Sequence, residues 1–134
     1  PNNPYVTSWA HAKKRFVMHI MFDLMGTVLG ALDRSLRPGI KDLIEELRKT
    51  GNMVYFWTNG RPEYYTRLLN DAGIAGEVYS KNGPLPFKPD ICVDDTPEKW
   101  MPGMVFRVEM YVATGETASP LTMANIVPGE YQRI

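Results

Sequence analysis

Phe16-Val17-Met18-His19-Ile20-Met21-Phe22-Asp23-Leu24-Met25-Gly26-Thr27 is the stretch on which the fold turns. Its apolar run shows no alternation and stops at Asp23. A run apolar on both faces suits a central parallel strand covered by helices on each side. His19, inside the run, reads as a hydrogen-bonded core histidine rather than a metal ligand. Downstream, Ile40, Leu43, Ile44 and Leu47 fall at helical spacing between Pro38 and Lys49, and Gly51 closes that helix. A second apolar run, Met53 to Trp57, ends at Thr58-Asn59-Gly60. Pro62 suits the first turn of another helix, reaching about Ala72 before Gly73.

Farther along, Glu77-Val78-Tyr79 reads as a short strand, and Pro84, Pro86 and Pro89 make 83–90 a loop. Ile91-Cys92-Val93 is a strand ending at Asp94-Asp95, and Met104 to Val108 a last one. Strands alternating with helices predict an α/β fold, a three-layer Rossmann-like domain with a mostly parallel sheet. Residues 1–134 are expected to form one domain, with an irregular arm over 1–14 and an irregular segment over 109–134.

The chain has 134 residues, 44% of them hydrophobic and 22% charged, ordinary values for a soluble globular domain. Fifteen basic residues balance fifteen acidic ones, which argues against a general nucleic-acid partner. Lys13-Lys14-Arg15 is the only compact basic run and reads as a solvated lead-in to the first strand. With one cysteine, Cys92, no internal disulfide forms, which fits a reducing, cytoplasmic setting. Cys92 sits in an apolar strand and reads as a buried thiol. No stretch approaches the roughly 20 apolar residues of a membrane helix, and Pro1-Asn2-Asn3-Pro4 has no signal-like pattern.

Three apolar runs end in polar residues: Asp23, Thr58 and Asp94-Asp95. Ligands of open parallel sheets bind beyond the carboxyl ends of the strands, so these residues should converge on one rim. Lys88, in the loop before Asp94, could return its ammonium there. Carboxylates, a hydroxyl and a cation together suit magnesium-assisted phosphoryl chemistry. Taken singly, each has a plainer reading: a loop-capping Asp, a helix-capping Thr, a solvated Lys, an acidic pair opening a helix at Pro97. Their joint order favours function.

That order resembles the four motifs of the haloacid-dehalogenase-like (HAD-like) superfamily. Phe22-Asp23-Leu24-Met25-Gly26-Thr27 is similar to the first motif, Trp57-Thr58-Asn59-Gly60 to the second, Lys88 to the third and Val93-Asp94-Asp95 to the fourth. The resemblance covers about residues 16 to 95. It implies that Asp23 is the nucleophile of an aspartyl-phosphate mechanism. Thr58, with Asn59 and Gly60, would hold the phosphoryl group beside a helix N-terminus. Lys88 would hold Asp23 and offset charge. Magnesium would lie between Asp23, Asp94 and Asp95, with the backbone carbonyl of Met25 as a further ligand.

The pattern breaks at Met25. Phosphatases of the family carry an aspartate there to protonate the leaving group and activate water, and a thioether moves no proton. Asp33 and Glu63 are candidates to replace it. Dehalogenases of the superfamily also lack that aspartate, but they have a helical cap and no metal-binding acidic pair. The stretches from Asp23 to Thr58 and from Thr58 to Lys88 hold one helix each, so no cap fits. Within the family, open sites go with macromolecular phosphorylated substrates or with neighbours, a second copy of the chain included, that supply cover. Trp100, Tyr64 and Tyr65 could line the entrance, although buried packing is the expected fate of Trp100. A phospho-aspartate receiver is disfavoured, because receivers carry their acidic pair on the first strand. The expectation is therefore a magnesium-dependent phosphatase or phosphotransferase with weakened acid–base catalysis. The alternative is a catalytically silent binding module of the same fold.

Overall fold

The computed structural model describes residues 17–114. The arm expected over 1–14, with His11 and the Lys13-Lys14-Arg15 run, lies outside the described residues, as does the segment from 115 onward. The elements run β1 (His19–Asp23), α1 (Ile40–Lys49), β2 (Met53–Thr58), α2 (Pro62–Asp71), β3 (Val78–Ser80), β4 (Ile91–Asp94) and β5 (Met104–Arg107). All five strands join one sheet in the order β3-β2-β1-β4-β5. Every neighbouring pair is parallel, a Rossmann-like α/β arrangement.

Local chemistry explains the helices. α1 buries Ile40, Leu43, Ile44 and Leu47. Asp42 in its first turn and Arg48 and Lys49 in its last match the helix dipole. Pro62 opens α2, where its missing N–H costs nothing, and Tyr65 and Leu69 are the residues it buries.

The layering differs from the expectation of helices on both faces. β1, β2 and β3 step in one direction, so right-handed crossovers put α1 and α2 on the same side. Ile20, Phe22, Val54, Phe56 and Val78 of the sheet share a core there with Leu43, Ile44, Leu47 and Leu69. Among the described residues no helix links β3 to β4 or β4 to β5. The second face, with Met21, Trp57, Cys92 and Val105, is covered by the irregular stretches on either side of β4, 81–90 and 95–103, through Leu85, Phe87 and Met101. Cys92 is buried there, its thiol donating to the Pro102 carbonyl at 3.4 Å.

His19 is part of that second face. Its Nδ1 lies 3.2 Å from the Tyr55 hydroxyl, and its ring stacks on Phe87. Trp100 departs from the expected burial: it is 50% exposed, with its ring 5.3 Å from that of Trp57. A sheet face covered by a loop leaves its outermost ring in water. No helix among the described residues is long and apolar enough to cross a membrane.

Because Leu69 is fully buried and α2 rests on only two buried side chains, Leu69→Ala should cost about 2–5 kcal/mol of stability. Urea unfolding followed by circular dichroism measures this as a lower midpoint at unchanged slope.

Candidate functional site

Strand order reverses between β1 and β4: from β1 the sheet grows one way through β2 and β3, from β4 the other way to β5. A crevice opens at such a switch point, beyond the carboxyl ends of the strands. Asp23 ends β1, Thr58 ends β2, Lys81 follows β3 directly and Asp94 ends β4. With Asp95, Met25, Asn59, Gly60, Tyr65, Thr96 and Glu98 they line a cleft of about 330 Å³.

The Lys81 ammonium sits between two carboxylates, 2.8 Å from Asp23 Oδ1 and 3.2 Å from Asp94 Oδ2. Its backbone N–H donates to the Thr58 carbonyl at 3.0 Å, fixing the residue against β2. The Thr27 hydroxyl lies 3.2 Å from Asp23 Oδ2 and 2.9 Å from Asp95 Oδ1, and accepts from the Asp95 N–H at 3.0 Å. Gly26 makes this approach feasible: its φ is +90°, and a Cβ there would stand 2.8 Å from the Asp95 carboxylate. Buried Arg37 donates to the Thr27 carbonyl at 3.2 Å, holding the turn from behind. Asp94 Oδ1 accepts the Thr96 N–H at 2.8 Å, and the Thr58 hydroxyl accepts the Gly60 N–H at 2.9 Å.

Burial, then the neighbouring Asp94 charge, pushes Asp23 up to about 8. Burial also raises Asp94. Burial works against the Lys81 ammonium, but the Asp23 and Asp94 carboxylates outweigh it and hold its pKa above the ordinary value. Three acidic side chains thus share one ammonium. Asp23, Asp94 and Asp95 each offer an oxygen within 4.8 Å of the others, a donor set that fits a hard divalent cation such as magnesium.

Asp23, Met25, Thr58, Asn59, Gly60, Asp94 and Asp95 come together as expected; Lys88 does not. It is exposed, and the Asp90 N–H that follows shortly after donates to the His19 carbonyl at the start of β1. Lys88 is therefore at the amino rim, roughly 13 Å of strand from Asp94. Leu85 and Phe87 turn inward onto the sheet, and Lys88 is left facing water. Lys81 occupies the position expected of it. The available signal was placement, since Lys81 directly follows a strand, as the other site residues end theirs.

Neither candidate replacement acid reaches the cleft lining, to which Glu98 contributes the only glutamate. Asp33 is held by the Ser35 N–H and hydroxyl at 2.9 and 2.8 Å and by the Thr114 N–H at 3.0 Å. Those bonds, the Ser35 backbone first, lower its pKa. Glu63 is exposed on α2.

Fold and site together define a Rossmann-like parallel α/β domain with an acidic, lysine-bridged cleft at its switch point. No protein-family profile matches the chain, and neither a curated protein nor a solved structure matches it.

Asp23 has a folded pKa near 8 against an ordinary 3.8. Between those values the folded protein keeps a proton that the unfolded chain has released. The stability that Asp23 contributes is therefore lost as pH rises from about 4 through 8. Asp94 shifts in the same direction, while the raised Lys81 loses its contribution only above its own ordinary range. In chelator, Tm should fall between pH 5 and pH 8, and Asp23→Asn should flatten the fall. A Tm that climbs over this interval contradicts the assignment.

Proposed function

We propose that the chain is a HAD-like, capless hydrolase: a magnesium-dependent phosphatase or phosphotransferase acting through an aspartyl-phosphate on Asp23. The observation that carries this reading is the Lys81 ammonium held between Asp23 and Asp94, with Asp95 and Thr58 in the same cleft. The sequence order of those residues also supports it, with Lys81 taking the part that the resemblance assigns to Lys88.

In this reading the phosphorylated substrate enters the open cleft with its phosphoryl oxygens toward Thr58 and the N–H groups that open α2. No side chain caps that helix, so its terminal amides are free to bind an anion. Lys81 orients Asp23 through Oδ1, and Oδ2, which the Thr27 hydroxyl steadies, attacks phosphorus in line with the leaving group. The new bond is Oδ2–P, the bond broken is P–O to the leaving group, and the electron pair departs with that oxygen. Water then attacks the acyl phosphate, releasing phosphate and restoring the carboxylate. A divalent cation on Asp23, Asp94 and Asp95 would keep Asp23 ionised and neutralise phosphoryl charge.

Met25 lines the cleft where a proton donor would serve the leaving group. General acid–base help is worth about 10² to 10⁴ in rate, roughly 3–5.5 kcal/mol of barrier. Turnover is therefore best for aryl or acyl phosphates, whose leaving groups depart without a proton. The same Met25 favours a second reading, a silent binding module that keeps the fold and the cleft without chemistry.

Steady-state assays with magnesium separate the two. Aryl phosphate hydrolysis should vanish in Asp23→Asn, drop strongly in Lys81→Ala and be unaffected in Lys88→Ala. Met25→Asp should raise alkyl phosphate turnover, by up to about 10²- to 10⁴-fold. No turnover in any variant, with no Asp23-dependent capture of beryllium fluoride, leaves the silent module.

A further inference from the structure

The loop between β1 and α1 folds back on itself as a tight hairpin. Gly30 N–H donates to the Ser35 carbonyl and Arg34 N–H to the Gly30 carbonyl, each at 2.8 Å. The tip is clamped from outside, with Ala31 and Leu32 N–H groups donating to the Tyr111 and Val112 carbonyls at 3.0 and 3.2 Å. At this tip Arg34 adopts φ +60°, the left-handed region that disfavours an arginine and that glycine would enter freely. Such a conformation persists only where the surrounding structure holds it, here the backbone bonds of the hairpin.

The guanidinium of Arg34 is aimed by aromatic rings. Its Cζ lies 5.7 Å from the centroid of Tyr64, a cation–π distance. Contact with the Tyr65 hydroxyl stabilises its charge. Tyr65 is itself a wall of the cleft, with its ring against Gly60, where a Cβ would come within 2.9 Å of Tyr65 Cε2. Tyr64 packs edge-on against Tyr65, ring centroids 5.0 Å apart, so Arg34 stands behind the tyrosine wall at the Gly60 end of the cleft. It makes no ion pair among the described residues, and its neighbour Asp33 is committed to Ser35 and Thr114. An exposed cation, oriented by two tyrosines beside a wall of the cleft and without an ion pair among the described residues, is suited to a second negative group on the same ligand.

We propose that Arg34 is a specificity-determining residue, binding a second anionic group carried by the part of the substrate beyond the phosphoryl. The proposal rests on the phosphoryl-site reading above, and it assigns the substrate class: phosphomonoesters that bear a further carboxylate or phosphate.

Binding of two non-hydrolysable probes, benzylphosphonate and 4-carboxybenzylphosphonate, tests it without any need for turnover. Calorimetric titration of the full chain in magnesium should show the carboxylated probe binding about tenfold more tightly. Arg34→Gln should bring the two to equal affinity, and Arg34→Gly, which suits the left-handed turn, should do the same if the glutamine variant folds poorly. Thr58→Ala should weaken both probes. Equal affinities in the wild type, or a preference that survives in both Arg34 variants, overturn the role of Arg34 and leave the phosphoryl site standing. If neither probe binds, the phosphoryl-site reading falls and the Arg34 proposal with it.

Discussion

A buried ammonium shared by two carboxylates organises the rim of this protein. Lys81 reaches Asp23 and Asp94 through its side chain and Thr58 through its backbone, so one residue ties β1, β2 and β4 at their carboxyl ends. Breaking such a pair is far more costly than its net worth suggests, because the abandoned charge stays buried. The attraction is also what keeps two buried aspartates tolerable side by side. With Asp95 close by, three acidic side chains share one lysine, a donor set that fits a hard divalent cation.

Behind the rim, the β1–α1 loop acts as a rigid base. The Leu24 carbonyl accepts N–H groups from Thr27, Val28 and Leu29 at 3.1, 3.0 and 2.9 Å, winding the chain into a single tight turn. Thr27 projects from that turn between Asp23 and Asp95. Arg37 supports it from one side, and the Tyr111 N–H donates to the Gly26 carbonyl at 2.8 Å from the other. Residues 108–114 are thus part of the site's foundation, although they contribute no group to the cleft lining.

Much of this was readable from sequence because apolar runs and strand ends follow simple physics. Each run ending in a polar residue became a strand, with limits within a few residues of those expected, and Asp23, Thr58, Asn59, Gly60, Asp94 and Asp95 converge as parallel topology requires. The misses share a cause. Lys88 was favoured by nearness to Asp94 along the chain, whereas the rim is set by strand ends, and the loop carrying Lys88 belongs to the opposite one. Helices on both faces were inferred from strands apolar throughout, but Leu85, Phe87 and Met101 hide a sheet face as effectively as a helix would. Arg37 and Arg34 carried no signal, since an arginine's partners in space leave no local trace.

The strand order has a bearing on how the chain is built during synthesis. β1 is central, yet its partner on one side, β4, is made only after α1, β2, α2 and β3 have appeared. Until then the nascent chain holds its central strand with one flank unpaired, and long-range parallel pairing is intrinsically slow. Arrival of β4 closes that flank and delivers Asp94 to Lys81 in one event. Closure of the second flank of β1 and assembly of the acidic cleft therefore coincide, so a chain made only as far as β3 presents no premature centre.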